Sequence, residues 1–447
     1  MSSLLATSDR LRVAILGNMN NNGFALMRFF IDLGVDAHLF PFRNDGEGSL
    51  AHFSPLSDSD DSEQYQGRIK RLAQTNSIEG LLAKPIANAV RWLRRVRRPG
   101  LPRLDPQTGD LPNHALVKEL QSFDYIIGSG VAPGLLSRFS VHLTVFFPYA
   151  IGVEWYRSYE FRQELASQNR IKRLLARSAA RSQAEGIRLA RIVVCDPGPT
   201  ATELSRLGVQ PRYIGFPMVY FDQRKSQTLP SSLAGVAKSI NRFEFKVLHH
   251  ARLLFEKPPS YSVTAWKLGN KNSDWAIRGF AEFVGQTPGC STVMAILEYG
   301  PDLDAAKRLV TRLGIDDHVV WVPKQPRKHL LPFMALFDAA FGQFLTTRTS
   351  IWGGVGWEIL AAGKPFIQGH FFESGEFEAL YGVPEPPLLK VQEPEDVALR
   401  LAWLYANPQA RLELASRTVD WNSRYQGHAL AAKWLEMLRA LPSQRRL

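Results

Sequence analysis

From Arg12 onward, short runs of consecutive apolar residues alternate with longer stretches in which apolar residues recur every three or four positions. RVAILG reads as a buried strand, NMNNNG as a Gly/Asn-rich turn, FALMRFFIDLG as an apolar-periodic helix and VDAHLFPF as a second strand. Strands that are apolar on nearly every residue are covered on both faces, which is the habit of parallel sheets. YIIGSG, LTVFFPY and RIVVCD continue the series, separated by helical or irregular sequence. A second series begins at FKVLHH and runs through TVMAILEYG, HVVWVP and LFDAAFGQFL to PFIQG. The pattern predicts two successive doubly wound α/β units and no short internal repeat.

A length of 447 residues fits that division, being too long for one ordinary core. Residues 1–222 form the first predicted domain, interrupted at 44–111 by a polar, partly helical insertion that carries the acidic cluster Asp58, Asp60 and Asp61 in a solvated loop. Between Phe161 and Arg191 the spacing predicts one long helix with a basic polar face and a buried stripe of Phe161, Leu165, Ile171, Leu174 and Leu175. Periodicity breaks down in the polar, turn-rich 223–242, the expected linker. Residues 243–426 form the second predicted domain, and 427–447 a last helix that packs back across the first.

Composition changes this picture little: 45% hydrophobic and 21% charged residues are the proportions of a packed globular protein. Charge adds more. The formal net charge of +12 favours phosphorylated or otherwise anionic partners, and its densest piece is RWLRRVRRPGLPR, where Arg91, Arg94, Arg95, Arg97, Arg98 and Arg103 stand without an acidic residue. With Trp92, Leu93 and Val96 interleaved, that segment suits an anionic membrane surface or an acceptor phosphate, or else is a solvated helix end. No RNA- or DNA-binding module accompanies the charge, so nucleic acid is not expected as a partner. Cys195 and Cys290 stand far apart and outside any metal-ligand spacing, which fits a reducing compartment. No secretory leader pattern and no run of about 20 apolar residues is visible, so a cytoplasmic protein is expected, with docking at the inner face of a membrane as the part that the arginines add.

The strongest chemical signal is TTRTSIWGGVGWEILAAGKPFIQG. Gly353, Gly354 and Gly356 open a helix-like run whose first backbone amides suit a phosphate or a sugar hydroxyl, and Glu358 falls in its first turns, where a carboxylate can accept from a ribose diol. This window resembles the donor-site motif of the retaining glycosyltransferases of family four: a glutamate, seven residues, a second glutamate and an A-x-GKP tail. Trp352 takes the place of the family's aromatic residue, Gly353 of its glycine, Glu358 of its second glutamate, and Ala361, Gly363, Lys364 and Pro365 of its tail, whereas Ser350 stands where the first glutamate belongs. VLHHARLLFEKPPSYSVTAWKLGNKNSDWAIRGF resembles the family's strand, arginine, loop and K-G-x-D segment through Arg252, Lys271 and Asp274, with Asn272 in place of the glycine and Lys267 as a rival lysine.

The resemblance implies a GT-B fold: two facing Rossmann-like α/β domains with parallel sheets and a cleft between them. It implies that Arg252 and Lys271 neutralise the donor diphosphate in place of a metal, that no cofactor is needed beyond the nucleotide-sugar donor, and that Glu358 holds the ribose. Trp352, Ser350, Gly353 and Gly354 would line the donor site. More faintly, Gly17, Asn18 and Gly23 occupy the first strand-to-helix loop, and Pro148, Tyr149 and Gly152 a later one, as an acceptor or phosphate site. The implied activity is sugar transfer with retention to a glycan or lipid-linked acceptor, in polysaccharide or glycoconjugate assembly. A nucleotide-sugar epimerase of the same fold, or a silent partner subunit that has lost the first glutamate, are the alternatives. The histidines at 249 and 250 read as packing or hydrogen-bonding residues, and Asp302 and Asp304 as a helix cap.

Overall fold

The computed structural model describes residues 10–42, 54–70, 114–149, 152–167, 170–221, 228–258, 266, 269–345, 352–370 and 372–444. Arg91, Arg94, Arg95, Arg97, Arg98, Arg103, Lys267 and Ser350 lie outside them. The chain divides into two compact units, one formed from Met1–Pro217 with Leu430–Leu447 and the other from Met218–Ala429.

The first unit is built on β1 (Arg12–Leu16), β2 (Asp36–Phe40), β3 (Tyr125–Ser129), β4 (Val145–Phe147) and β5 (Ile192–Val193), ordered β2-β1-β3-β4-β5 and parallel throughout. Helix α1 (Asn22–Asp32) makes the crossover between the first two strands and buries Phe24, Leu26, Met27, Phe29 and Phe30. The order reverses direction between β1 and β3, and such a switch point leaves an opening beyond the carboxyl ends of the two strands. Close packing of α2 (Ala132–Leu136) on α3 (Arg170–Leu189) supports the far side. The buried Gln183 ties them: its Oε1 accepts the Gly134 N–H at 2.9 Å and its Nε2 donates to the Gly130 carbonyl at 2.9 Å. Gly186 lets the backbones meet, for a Cβ there would lie 2.0 Å from the Pro133 oxygen.

In the second unit β6 (Phe245–His249), β7 (Thr292–Glu298), β8 (Val319–Pro323), β9 (Ala339–Phe341), β10 (Phe366–Gly369) and β11 (Leu389–Val391) are ordered β11-β10-β9-β6-β7-β8, again all parallel. This is the doubly wound order, with its switch point between β6 and β9. Its core of Val247, Ile277, Phe280, Met294, Ile296, Phe341 and Leu401 is closed to solvent, which explains the unbroken apolar runs in the sequence. Strand β11 had no signal of its own, because only three residues, Leu389, Lys390 and Val391, complete the sheet edge.

Four expectations need correction. The long basic helix is two helices, Tyr159–Ser167 and α3, and Leu174 is 58% exposed rather than part of the buried stripe. Part of the expected linker is regular structure, α4 (Ala234–Ile240), whose Ala237 and Ile240 are buried with Leu233. Asp58 is not solvated: it pairs with the Arg28 guanidinium, both side chains buried, and thereby fastens the inserted segment to α1. Asp302 does sit at a helix N-cap, but its carboxylate accepts instead from the backbone of Phe255 at 2.6 Å and Glu256 at 2.8 Å, which holds the loop beyond β6. Among the described residues no helix is long and apolar enough to cross a membrane.

The chain's last helix, α5 (Gly427–Arg439), places Trp434 in the first unit, where its Nε1 donates to the Gly215 carbonyl at 2.9 Å and its ring meets Phe216 edge-on. Further on, Tyr125 donates its hydroxyl to the Leu441 carbonyl at 2.9 Å.

Two glycine substitutions test this packing in opposite directions. Gly186→Ala forces a backbone shift between α2 and α3 and should cost about 3 kcal/mol, the upper part of the range for overpacking. Gly235→Ala, in α4 with open space around its Cβ position, should stabilise by about 0.5 kcal/mol. Urea unfolding midpoints of the two variants check both signs.

Candidate functional site

The site in the second unit begins with the strand ends at the switch point. His249 closes β6, and His250, Ala251 and Arg252 follow it; Gln343 follows β9. Helix α6 (Arg327–Met334) and helix α7 (Gly353–Ala361) bring two further side chains to the same place. Arg327 Nε donates to Glu358 Oε1 at 2.7 Å, and His250 Nε2 lies 3.2 Å from Glu358 Oε2. All three residues are buried. Burial alone would raise the carboxyl pKa, but the Arg327 charge and the His250 contact outweigh it and hold Glu358 down at about 2. An ionised carboxylate can only accept, so His250 Nε2 carries the proton and donates it. His250 Nδ1 is buried with no hydrogen-bond partner.

Arg252 is exposed, and Lys271 is half-buried with its backbone fixed by bonds to Leu254 and Phe344. Burial, and then the neighbouring Arg252 charge, push the Lys271 ammonium down to about 8. Among the described residues neither cation has a carboxylate or other hydrogen-bond partner. Asn272 keeps the motif's turn in place of a glycine by adopting φ 45° and donating its side-chain amide to the Phe344 carbonyl at 2.6 Å.

Gly353 starts α7 at φ +59°, in the left-handed region, with its Cα against the Gln343 amide: a Cβ there would lie 3.0 Å from Gln343. Gln343 Oε1 is itself buried without a partner. Gly353 and Gly354 are half-buried, and the first N–H groups of a helix have no partner within it. Trp352 departs from its expected place in the donor site. It is wholly buried, stacked on Phe377 with centroids 5.3 Å apart and in edge contact with Trp357, so it supports the glycine turn from behind and reaches no ligand.

The first unit has its own recess, of about 300 Å³ including its open mouth, at the β1/β3 switch point, lined among others by Gly17, Asn22, Gly23, Ser129, Tyr149 and Phe216. Two glycines shape it. Gly17 has φ +90° and lies against Ser129, and a Cβ on Gly23 would stand 2.3 Å from the Gly17 oxygen. Asn18, expected to face a ligand, is instead wholly buried: its Oδ1 accepts the Phe24 N–H at 2.8 Å and its amide donates to Asn21 at 2.9 Å, which builds the start of α1. Asn22 is the residue that sequence reading missed. Its side chain is 5% exposed, lines the recess and has no partner for either amide atom. Nothing in an NNNG run says which asparagine turns inward. Arg327 was missed for a similar reason, since a helix-opening arginine some thirty residues from Glu358 carries no local signal.

No protein-family model matches this sequence, and no curated protein matches it. Solved structures do. Anabaena HepE in complex with UDP and glucose superposes with a TM-score of 0.56 at 16% identity, covering 97% of this chain and 100% of that one. Sucrose-phosphate synthase from Thermosynechococcus elongatus gives 0.56 at 14% identity, over 96% and 99% of the two chains. A glycosyltransferase from Rickettsia africae gives 0.51 at 10% identity, over 97% and 98%. At such identities the likeness establishes fold: the chain has the two-sheet GT-B architecture of these structures.

Replacing Glu358 by Gln removes the carboxylate charge that faces the buried Arg327 guanidinium, and should cost about 3 kcal/mol at pH 7. Because the Glu358 pKa is lowered on folding from 4.5 to about 2, its contribution is complete above pH 4.5 and disappears as pH falls through 2. The gap in stability between wild type and variant should therefore narrow below pH 4.5, as read from urea unfolding at stepped pH.

Proposed function

We propose that this chain is a glycosyltransferase whose donor is a nucleoside diphosphate sugar held by the second unit. The observation that carries the reading is the pair Arg252 and Lys271, two cations beside the β6 strand end with no ion-pair partner among the described residues, one of them with its pKa pushed down to about 8. A diphosphate supplies the missing charge. As the glycosidic bond breaks, negative charge grows on the leaving diphosphate, and cations already in place stabilise it without reorganisation. The N–H groups of Gly353 and Gly354 add donors for a phosphate or sugar oxygen. Glu358 keeps free lone pairs beyond those used by Arg327 and His250, enough to accept from ribose hydroxyls in the proposed pose.

A UDP-sugar is the donor class that the fold's neighbours favour, HepE having been solved with UDP and glucose and also with UDP-glucose. The recess of the first unit is assigned to the acceptor side, where Asn22 offers a buried donor and acceptor and Tyr149 an aromatic wall. Retention of configuration, a role in polysaccharide or glycoconjugate assembly, and charge neutralisation by Arg252 and Lys271 in place of a metal belong to the proposal through the motif resemblance. Ser350 in the position of the family's first glutamate favours one second reading, a catalytically silent partner subunit that binds donor weakly or not at all.

The test is thermal stabilisation by UDP-, GDP-, ADP- and TDP-sugars. One donor at a hundred times its Kd should stabilise the wild type by about 2.7 kcal/mol. Arg252→Ala, an exposed change that spares the core, should lose most of that shift. A folded wild type that no donor stabilises ends the transferase reading in favour of the silent subunit. Binding should also depend on pH. Lys271 titrates near 8 when the site is empty, against its ordinary 10.5, and an anion binds its charged form better, so affinity should be level below pH 8 and fall above it, with proton uptake on binding. Calorimetry in two buffers at pH 8.5 reads that uptake directly.

A further inference from the structure

The surface of α3 carries a feature that the donor site does not use. Residues Arg170, Leu174, Arg177, Arg181, Glu185 and Arg188 are all exposed, and their spacing of three or four places them on one face of the helix. Among the described residues Arg170, Arg177 and Arg181 have no hydrogen-bond or ion-pair partner; Arg188 donates to the Leu207 carbonyl at 3.1 Å. Glu185 is the one acidic residue on this face. From Arg170 to Arg188 the stripe is straight and roughly 27 Å long at 1.5 Å per residue. The opposite face is clamped: Ala176, Ala179, Gln183, Gly186 and Ile187 are buried or packed against α2, so the arginines project from a rigid rod.

Packed proteins place single charges at random over such a helix and pair many of them. Here arginine repeats along one line, and an apolar side chain, Leu174, stands 58% exposed in its midst. A soluble polyanion would satisfy the arginines and leave Leu174 in water. A bilayer with anionic headgroups satisfies both, taking phosphate on the arginines while the Leu174 side chain enters the boundary between headgroup and acyl chain. We propose that the exposed face of α3 is a docking surface for an anionic lipid membrane. The proposal does not rest on the donor-site reading, since none of these residues belongs to that site.

The experiment is co-sedimentation of the full chain with vesicles of phosphatidylcholine alone or mixed with phosphatidylglycerol. Binding is expected only to the mixed vesicles and should weaken between 0.05 and about 0.5 M salt as screening grows. Each basic residue near an anionic leaflet is worth about fivefold. The triple variant R170Q/R177Q/R181Q should therefore bind roughly a hundredfold more weakly, with unchanged circular dichroism and unchanged stabilisation by donor, and Leu174→Ser should bind less tightly at every salt concentration. The proposal is overturned if the wild type ignores the mixed vesicles or if the triple variant binds them like wild type. It is equally overturned if only the variant with Arg91, Arg94, Arg95, Arg97 and Arg98 changed to Gln loses binding. Competition by heparin with no effect of Leu174→Ser assigns the stripe to a soluble polyanion and also refutes it.

Discussion

A buried carboxylate must be paired or lose its charge, and the second unit is organised around one that is paired twice. Glu358 sits on α7, His250 beyond β6 and Arg327 at the start of α6, so one ionised side chain ties three segments far apart in sequence. Removing one member of the set leaves a buried charge poorly compensated, and that cost holds α7 in register with the β6 end and α6. That fixity matters because α7 presents the glycine turn. Behind the turn Trp352 fills the core, and in front of it Gln343 lies against Gly353, leaving no space for a side chain.

The two sheets reach the same functional arrangement by different strand orders. In each, strands on either side of a switch point send their following loops in opposite directions, so the carboxyl ends border an opening. In the first unit that opening is the recess edged by Gly17 and Ser129, with an unsatisfied asparagine in its wall; in the second it is edged by the His249–Arg252 segment and Gln343. Unsatisfied buried polar groups are uncommon in native proteins. Each opening has such groups, Asn22 at the first and His249, His250 and Gln343 at the second, and these, with two cations that lack an anion among the described residues, are what the proposal of nucleotide-sugar chemistry rests on.

Charge is distributed by the same logic. Cations near the second switch point are partly sheltered, so they weigh on each other and Lys271 yields part of its charge affinity. The α3 arginines are exposed along one face, where a planar anionic surface would meet them together.

Strand periodicity, the glycine turn and the family-like spacing of Arg252, Lys271 and Glu358 were legible in the sequence, because each depends on residues close together along the chain: a strand covered on both faces must be apolar at every position, and a tight turn must carry glycine. The order of strands within each sheet, the pairing of Arg327 and His250 with Glu358, and the inward turn of Asn22 but not Asn18 as recess wall were decided only by tertiary structure. So were the exposure of Leu174 and the burial of Trp352 and Asp58. A helical period says that a face exists, but which face meets the core depends on the partner helix, and for α3 that partner is α2, fixed by Gln183 and Gly186. Local sequence sets the geometry a segment can adopt; what a charged or aromatic side chain touches is set by segments brought to it from elsewhere, at separations over which sequence carries no spacing rule.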